Sequence, residues 1–176
     1  MKERVLVIGA TSAIAAEVAA QHAARGLVLR QVNAGGNSMT ELEHFVLAQA
    51  PAYAGVLDEL GRGRKTSHWM WFIFPQLAGL GRSVTAKYYG LIDLAAARAF
   101  LAHPVLGPRL VACTRLVNAI EGRSAHAIFG TPDDLKFRSS MTLFGQADPE
   151  EPVFGAVLAK YYGGIEDTAT LALLGG

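Results

Sequence analysis

From residue 42 onward the apolar positions of this chain recur every three to four residues, the period of helices buried on one side. Leu42, Phe45 and Val46 open the first stripe. They follow Thr40-Glu41-Leu42-Glu43, where a hydroxyl precedes a carboxylate by three residues as in a capping box. Pro51 fits the first turn of a helix, and Tyr53, Val56, Leu57 and Leu60 continue at helical spacing until Gly61 or Gly63 ends it. Residues 69–74 are six large apolar side chains in a row, which a buried strand and a buried helix both explain. Residues 77–82 read as a glycine-punctuated loop. Ser83 caps a helix reaching Tyr89. Asp93 caps another with Leu94, Ala97, Phe100 and Leu101 inward, stopped at His103-Pro104. Pro108 opens a helix carrying Leu110, Val111, Leu116, Val117 and Ile120, and Ser124 starts a short one that ends at Phe129-Gly130. Thr131-Pro132-Asp133-Asp134 is a strong start signal, with a hydroxyl at the cap, proline first and carboxylates at the positive helix end. That helix runs through Lys136 and Met141 to Phe144. Residues 152–162 and 168–174 supply the last two. The fold class is all-α, one compact multihelical domain over residues 39–176.

The first 38 residues differ. Val5 to Ile8 is a β-type run, Gly9-Ala10-Thr11-Ser12-Ala13-Ile14-Ala15 follows, an alanine-rich helix ends at Gly26, and Leu27 to Val32 reads as a second strand. This order resembles the opening of a short-chain dehydrogenase/reductase, in which a glycine-rich turn admits a pyrophosphate at a helix N-terminus. Only Gly9 matches. Ala13 and Ala15 stand where later glycines belong, and their β-carbons crowd that approach. No Tyr-x-x-x-Lys pair and no further strand–helix alternation follow. The segment reads as a short β-α-β appendage, structural or vestigial, joined through the linker Asn33-Ala34-Gly35-Gly36-Asn37-Ser38.

Composition narrows the class. The 176 residues are 51% hydrophobic and 18% charged, with a net charge of +1. That balance suits a globular chain and gives no electrostatic footprint for nucleic acid or membrane surfaces. One cysteine, Cys113, excludes an internal disulfide and fits a reducing compartment. No apolar run reaches the ~18 residues of a membrane span. Glu3 and Arg4 come too early for a secretory signal, and Glu17 and His22 interrupt the apolar region. A cytoplasmic protein is expected. The histidines and Cys113 show no metal-ligand spacing, so neither metal nor cofactor is expected.

Candidate chemistry concentrates around residues 63–76. As a histidine, His68 can donate, accept or ligate. It follows Arg64, Lys65 and Ser67, cations and a hydroxyl suited to an anionic ligand, and precedes Trp69 and Trp71, which suit stacking. The bland reading is a histidine at the core edge beside packed aromatics. In a helix the two tryptophans lie about 200° apart, so that one of them faces the core. Gln76 either reads a ligand edge or fixes a loop. Asp133 and Asp134 offer a general acid or a water-activating carboxylate, though helix capping alone explains them. Lys136 shares a helix face with Asp133. Ser139, Ser140 and Thr142 surround Met141 with hydroxyls that bind a polar ligand or bond back to their own helix. Arg109 is expected to meet Asp93 or Glu121, and His22, His44 and His126 have no clustered partners.

One block is Gly63-Arg64-Lys65-Thr66-Ser67-His68-Trp69-Met70-Trp71-Phe72-Ile73-Phe74-Pro75-Gln76. Three more are His103-Pro104-Val105-Leu106-Gly107-Pro108-Arg109-Leu110, Ile128-Phe129-Gly130-Thr131-Pro132-Asp133-Asp134-Leu135-Lys136, and Ser139-Ser140-Met141-Thr142-Leu143-Phe144. Together they resemble domain of unknown function family 1810, a bacterial family some of whose members carry a calpastatin label. The resemblance covers about residues 41–174 and implies a compact helical fold without assigning an activity. The block order is also similar to that of a helical enzyme family that cleaves N-glycosidic bonds in nucleotide-type substrates, including ADP-ribose adducts. Two functions follow. In one, Arg64, Lys65, His68 and Gln76 meet Asp133, Lys136 and Ser140 in a site for a phosphorylated nucleotide-type or ADP-ribose-type ligand, with N-glycosidic hydrolysis assisted by Asp133 or Asp134. In the other, the chain is a non-catalytic helical interaction module whose motifs are core and caps.

Overall fold

Prolines, glycines and small polar caps cut residues 42–175, those that the structure (a computed structural model) describes, into nine α-helices and one 3₁₀ turn. The expected β-α-β appendage, and Thr40 and Glu41 of the expected capping box, lie outside the described residues.

Helix α1, Glu43–Gly61, is one helix where two were expected. Pro51 sits inside it. The proline removes the hydrogen bond to the carbonyl of Leu47, but Leu47 is exposed, so water can take that carbonyl. Phe45, Gln49, Val56 and Leu60 keep one buried stripe across the proline. The six-residue apolar run is neither a strand nor a full helix. It makes a single turn, α2, Met70–Ile73, and then extends. Pro75 is the reason: its ring disfavours helical geometry at Phe74, whose φ is −120° and ψ 70°. The extended end reaches a parallel bridge between Leu77 and Leu91, across the 3₁₀ turn Ala78–Leu80.

Helix α3, Val84–Tyr88, starts behind Ser83, whose hydroxyl accepts from the Ala86 amide. Helix α4, Leu94–Ala102, is capped by Asp93 and stops at His103. Helix α5, Leu106–Ala119, begins two residues before the expected Pro108, which sits where a missing N–H costs nothing. His103 does double duty there. Its Nδ1 accepts from the amides of Val105 and Leu106, at 3.2 and 3.3 Å, as α5 begins. Helix α6, Ala125–Phe129, is capped by Ser124. Helix α7, Asp133–Ala147, follows, and then α8, Pro152–Tyr162, and α9, Thr168–Leu174, capped by Glu151 and Asp167.

The start of α7 departs from expectation. Pro132 is the capping position and no side chain caps an amide there. Thr131 directs its hydroxyl to the Asp134 carboxylate and the His126 ring instead.

Two helices form the centre. Helix α7 packs against α2, α4, α6, α8 and α9, and α5 packs against α1, α2, α4 and α8. Accordingly α7 is buried on most sides, with Phe137, Met141, Leu143 and Phe144 in the core. The tryptophan-bearing turn α2 lies against α1, α5 and α7, so the segment richest in candidate chemistry meets the helix that carries the carboxylates.

Candidate functional site

The loop between α1 and α2 is shaped by one carboxylate. Gly63, at φ +65°, reverses the chain after α1. Glu59 then accepts from the amides of Thr66 (2.7 Å) and Ser67 (3.2 Å), from the Ser67 hydroxyl (2.5 Å) and from the Trp69 indole (2.8 Å). Burial raises the Glu59 carboxyl pKa, but the hydrogen bonds from Ser67, Thr66 and Trp69 outweigh it and bring it down to about 2. The amide of Lys65 donates to the Ile128 carbonyl at 2.7 Å, which fastens the loop to α6.

Lys65 reaches from this loop to the first turn of α7. Its ammonium lies 2.6 Å from Oδ2 of Asp133, and that of Lys136 lies 2.7 Å from Oδ1. The expected Lys136–Asp133 pair therefore exists, with a second lysine on the other oxygen. The Lys65 side chain is only 8% exposed. Each ammonium also lies over an indole, Lys65 at 5.3 Å from the Trp69 ring and Lys136 at 4.9 Å from that of Trp71. Burial raises the Asp133 carboxyl pKa, while the hydrogen bonds and charges of Lys136 and Lys65 hold it below the ordinary carboxylate value. The carboxylate is therefore ionised at neutral pH, and two ammoniums against one carboxylate leave the cluster a net positive charge.

The remaining candidates separate. Trp69 is buried and its indole N–H is engaged by Glu59, whereas Trp71 is half-buried. The Ser67 hydroxyl is also engaged by Glu59. Arg64 and His68 are exposed, and their side chains form no hydrogen bond or ion pair among the described residues; the Arg64 amide donates to the Glu59 carbonyl at 3.0 Å. Gln76 is half-buried, and its backbone carbonyl accepts from Leu91 at 2.9 Å. Asp134 belongs to a second group. Its carboxylate takes the Nδ1 of His126 at 3.1 Å, the Thr131 hydroxyl at 3.4 Å and the Leu135 amide at 2.9 Å. His126, expected to lack a clustered partner, thus has two, brought by the turn between α6 and α7. Ser139 bonds back to the Leu135 carbonyl and across to Asp167 of the α9 cap. Ser140 is fully buried.

Arg109 meets neither Asp93 nor Glu121. Asp93 caps α4, and Glu121 takes Lys160 at 2.9 Å. Arg109 donates to Oε1 of Gln49 at 3.3 Å and lies 4.5 Å over the Tyr53 ring. Gln49 in turn donates from Nε2 to the Phe72 carbonyl at 2.7 Å, so α1 and α5 together hold the end of the turn that carries Trp71. Neither Glu59 nor Gln49 stood out by residue type. Two signals were present: a carboxylate in the last turn of α1, where the helix dipole disfavours it, and an amide inside an apolar stripe.

The family model described as "Protein of unknown function (DUF1810)" matches residues 39–174. Among solved structures, the chain is similar to the crystal structure of the conserved hypothetical protein Rv1873 from Mycobacterium tuberculosis. The identity is 57%, over 77% of this chain and 97% of that one, with a TM-score of 0.76. A comparison with curated proteins finds no match.

Proposed function

The chain belongs to the DUF1810 family, and from that premise we propose that Lys65, Asp133, Lys136 and Trp71 form the site of a phosphorylated nucleotide-type ligand, at which an N-glycosidic bond is hydrolysed. The observation that carries this reading is the sharing of one carboxylate by two lysines, 2.6 and 2.7 Å away, with the Trp71 ring beneath one of them. A phosphate arriving here relieves the competition. It takes one ammonium while the other stays with Asp133, and the indole supplies a surface on which a base can stack.

The chemistry balances as follows. Water attacks the anomeric carbon, the C–N bond breaks, and its electron pair goes to the base nitrogen. Once the phosphate has drawn one ammonium away, the freed oxygen of Asp133 accepts the proton from water; Asp133 does not serve as the acid. His68, exposed on the loop three residues from Lys65, is the group available to protonate the leaving base. Arg64 adds a second cation to that loop. Asp134, engaged with His126 and Thr131, has a positioning role at the start of α7.

The test is thermal unfolding with ADP-ribose, NAD and riboflavin-pathway nucleotides. A ligand at about 100 times its Kd adds about 2.7 kcal/mol, a rise of several degrees in Tm. The rise should vanish in Lys136→Ala, and free base should appear on incubation with wild type. The second reading, a non-catalytic helical module, is favoured by the local bonds that already occupy Ser67, Ser139 and Asp134. Absence of any nucleotide-dependent rise decides for it.

A further inference from the structure

We infer that Ser140 is a ligand-facing residue, and that the group it meets is a sugar hydroxyl attached to the phosphate that Lys136 takes while Lys65 stays with Asp133. The location of that phosphate rests on the reading above; the role of Ser140 rests on a separate observation. Three hydroxyls surround Met141, and they do not behave alike. Ser139 donates to the Leu135 carbonyl, and Thr142 donates to the Arg138 carbonyl and accepts from the Asp167 amide. Both are spent within the fold. Ser140 is 0% exposed, and its Oγ has no hydrogen-bond partner among the described residues. It does not use the carbonyl one turn back, as its two neighbours do. A buried hydroxyl left so bears its desolvation penalty with nothing in return.

Register says what it faces. Asp133, Lys136 and Ser140 are spaced i, i+3 and i+7 on α7, one face of the helix. Helical Cα–Cβ bonds tilt toward the N-terminus, so Ser140 leans toward Lys136, about 6 Å back along the axis. Phe137 and Phe144 flank it and are buried. A charge would not be tolerated beside them, so an uncharged polar group is required there. An anion on Lys136 with a hydroxyl about one helical turn away describes a sugar phosphate. Lys136 neighbours Ser140 on the face. Binding a phosphate requires the Lys136 ammonium to leave Asp133, and Lys136 is the polar residue one turn before Ser140 on this face.

The experiment uses ribose 5-phosphate and inorganic phosphate as probes, by calorimetric titration of wild type, Ser140→Ala and Lys136→Ala. Wild type is expected to prefer ribose 5-phosphate by about three- to tenfold, the worth of one neutral hydrogen bond. Ser140→Ala should lose that preference, bind inorganic phosphate as before, and melt no lower than wild type without ligand. A lower melting temperature, or a preference that survives in Ser140→Ala, overturns the inference. So does equal wild-type affinity for the two probes, which leaves the phosphate reading standing. If wild type binds neither probe, or Lys136→Ala binds inorganic phosphate undiminished, the phosphate reading falls and this inference falls with it.

Discussion

The indole Nε1 of Trp69 donates to the Glu59 carboxylate at 2.8 Å, and through that bond the largest buried side chain is tied to the loop that carries Lys65. The same carboxylate takes two backbone amides and the Ser67 hydroxyl. Replacing Glu59 by Gln puts an amide donor where donors already point. Charge-assisted bonds are worth about 1.5–3 kcal/mol each, but this group is partly exposed, so a loss of about 2 kcal/mol, near 5 °C in Tm, is expected. Thermal unfolding followed by tryptophan fluorescence measures it. A variant as stable as wild type would show that Glu59 does not hold the loop.

The pH dependence has a definite sign. Glu59 and Asp133 both titrate below their ordinary values when folded. A depressed carboxyl contributes stability above its unfolded value, near pH 4–4.5, and loses it as the pH falls through the folded value. Stability should therefore decline from about pH 5 toward pH 2. Denaturant titrations across that window should show a shallower decline in Glu59→Gln, which no longer takes up that proton on unfolding.

Gln49 is expected to matter more than its residue type suggests. It is 1% exposed, and both ends of its amide are bonded, to the Phe72 carbonyl and to Arg109. Gln49→Leu leaves the part-buried Phe72 carbonyl without its donor, at a cost of about 2 kcal/mol. Arg109→Met leaves Gln49 in place and should cost less. Urea titration gives the order, and a shift in tryptophan emission should accompany the first variant because the Trp71 turn is released. Equal effects would remove Gln49 from the positioning of that turn.

The sequence made some of this legible and hid the rest for physical reasons. Caps announce themselves locally: Ser83, Asp93 and Ser124 each accept from the amide three residues on, as their spacing implied. The Asp133–Lys136 pair was legible because both sit on one helix. Lys65 joins them from 68 residues away in sequence, a tertiary choice that no local spacing encodes. Pro51 misled because helix interruption depends on where the freed carbonyl points, and Leu47 faces water. Arg109 misled because its partner was assumed to be a carboxylate, whereas it found a neutral amide and a ring.

Glycine substitutions should separate crowding from backbone strain. A β-carbon at Gly107 would lie 1.9 Å from the Leu101 carbonyl oxygen, where α5 starts against the end of α4. Backbone on backbone cannot yield cheaply, so Gly107→Ala should cost more than about 3 kcal/mol. Gly122, at φ +68°, has open space around it. Gly122→Ala should cost only the left-handed penalty of about 1–2 kcal/mol. Comparing the two melting temperatures checks the close approach directly, and the reverse order would contradict it.

The last prediction concerns Asp133 itself. Asp133→Asn leaves the ammoniums of Lys65 and Lys136 on either side of a neutral amide, with Lys65 nearly buried. Uncompensated buried charge is expensive, and a loss of about 2–4 kcal/mol is expected. The loss should depend on the anion present. Chloride screens the repulsion only generally, whereas phosphate can bind between the lysines and stabilise by mass action. At matched ionic strength, phosphate should therefore raise the Tm of Asp133→Asn more than chloride does, and more than it raises that of wild type, where the carboxylate already occupies the cations. Lys136→Ala added to the variant should abolish the difference between the two anions. If phosphate and chloride rescue Asp133→Asn equally, the two lysines act as separate surface charges and do not form an anion site.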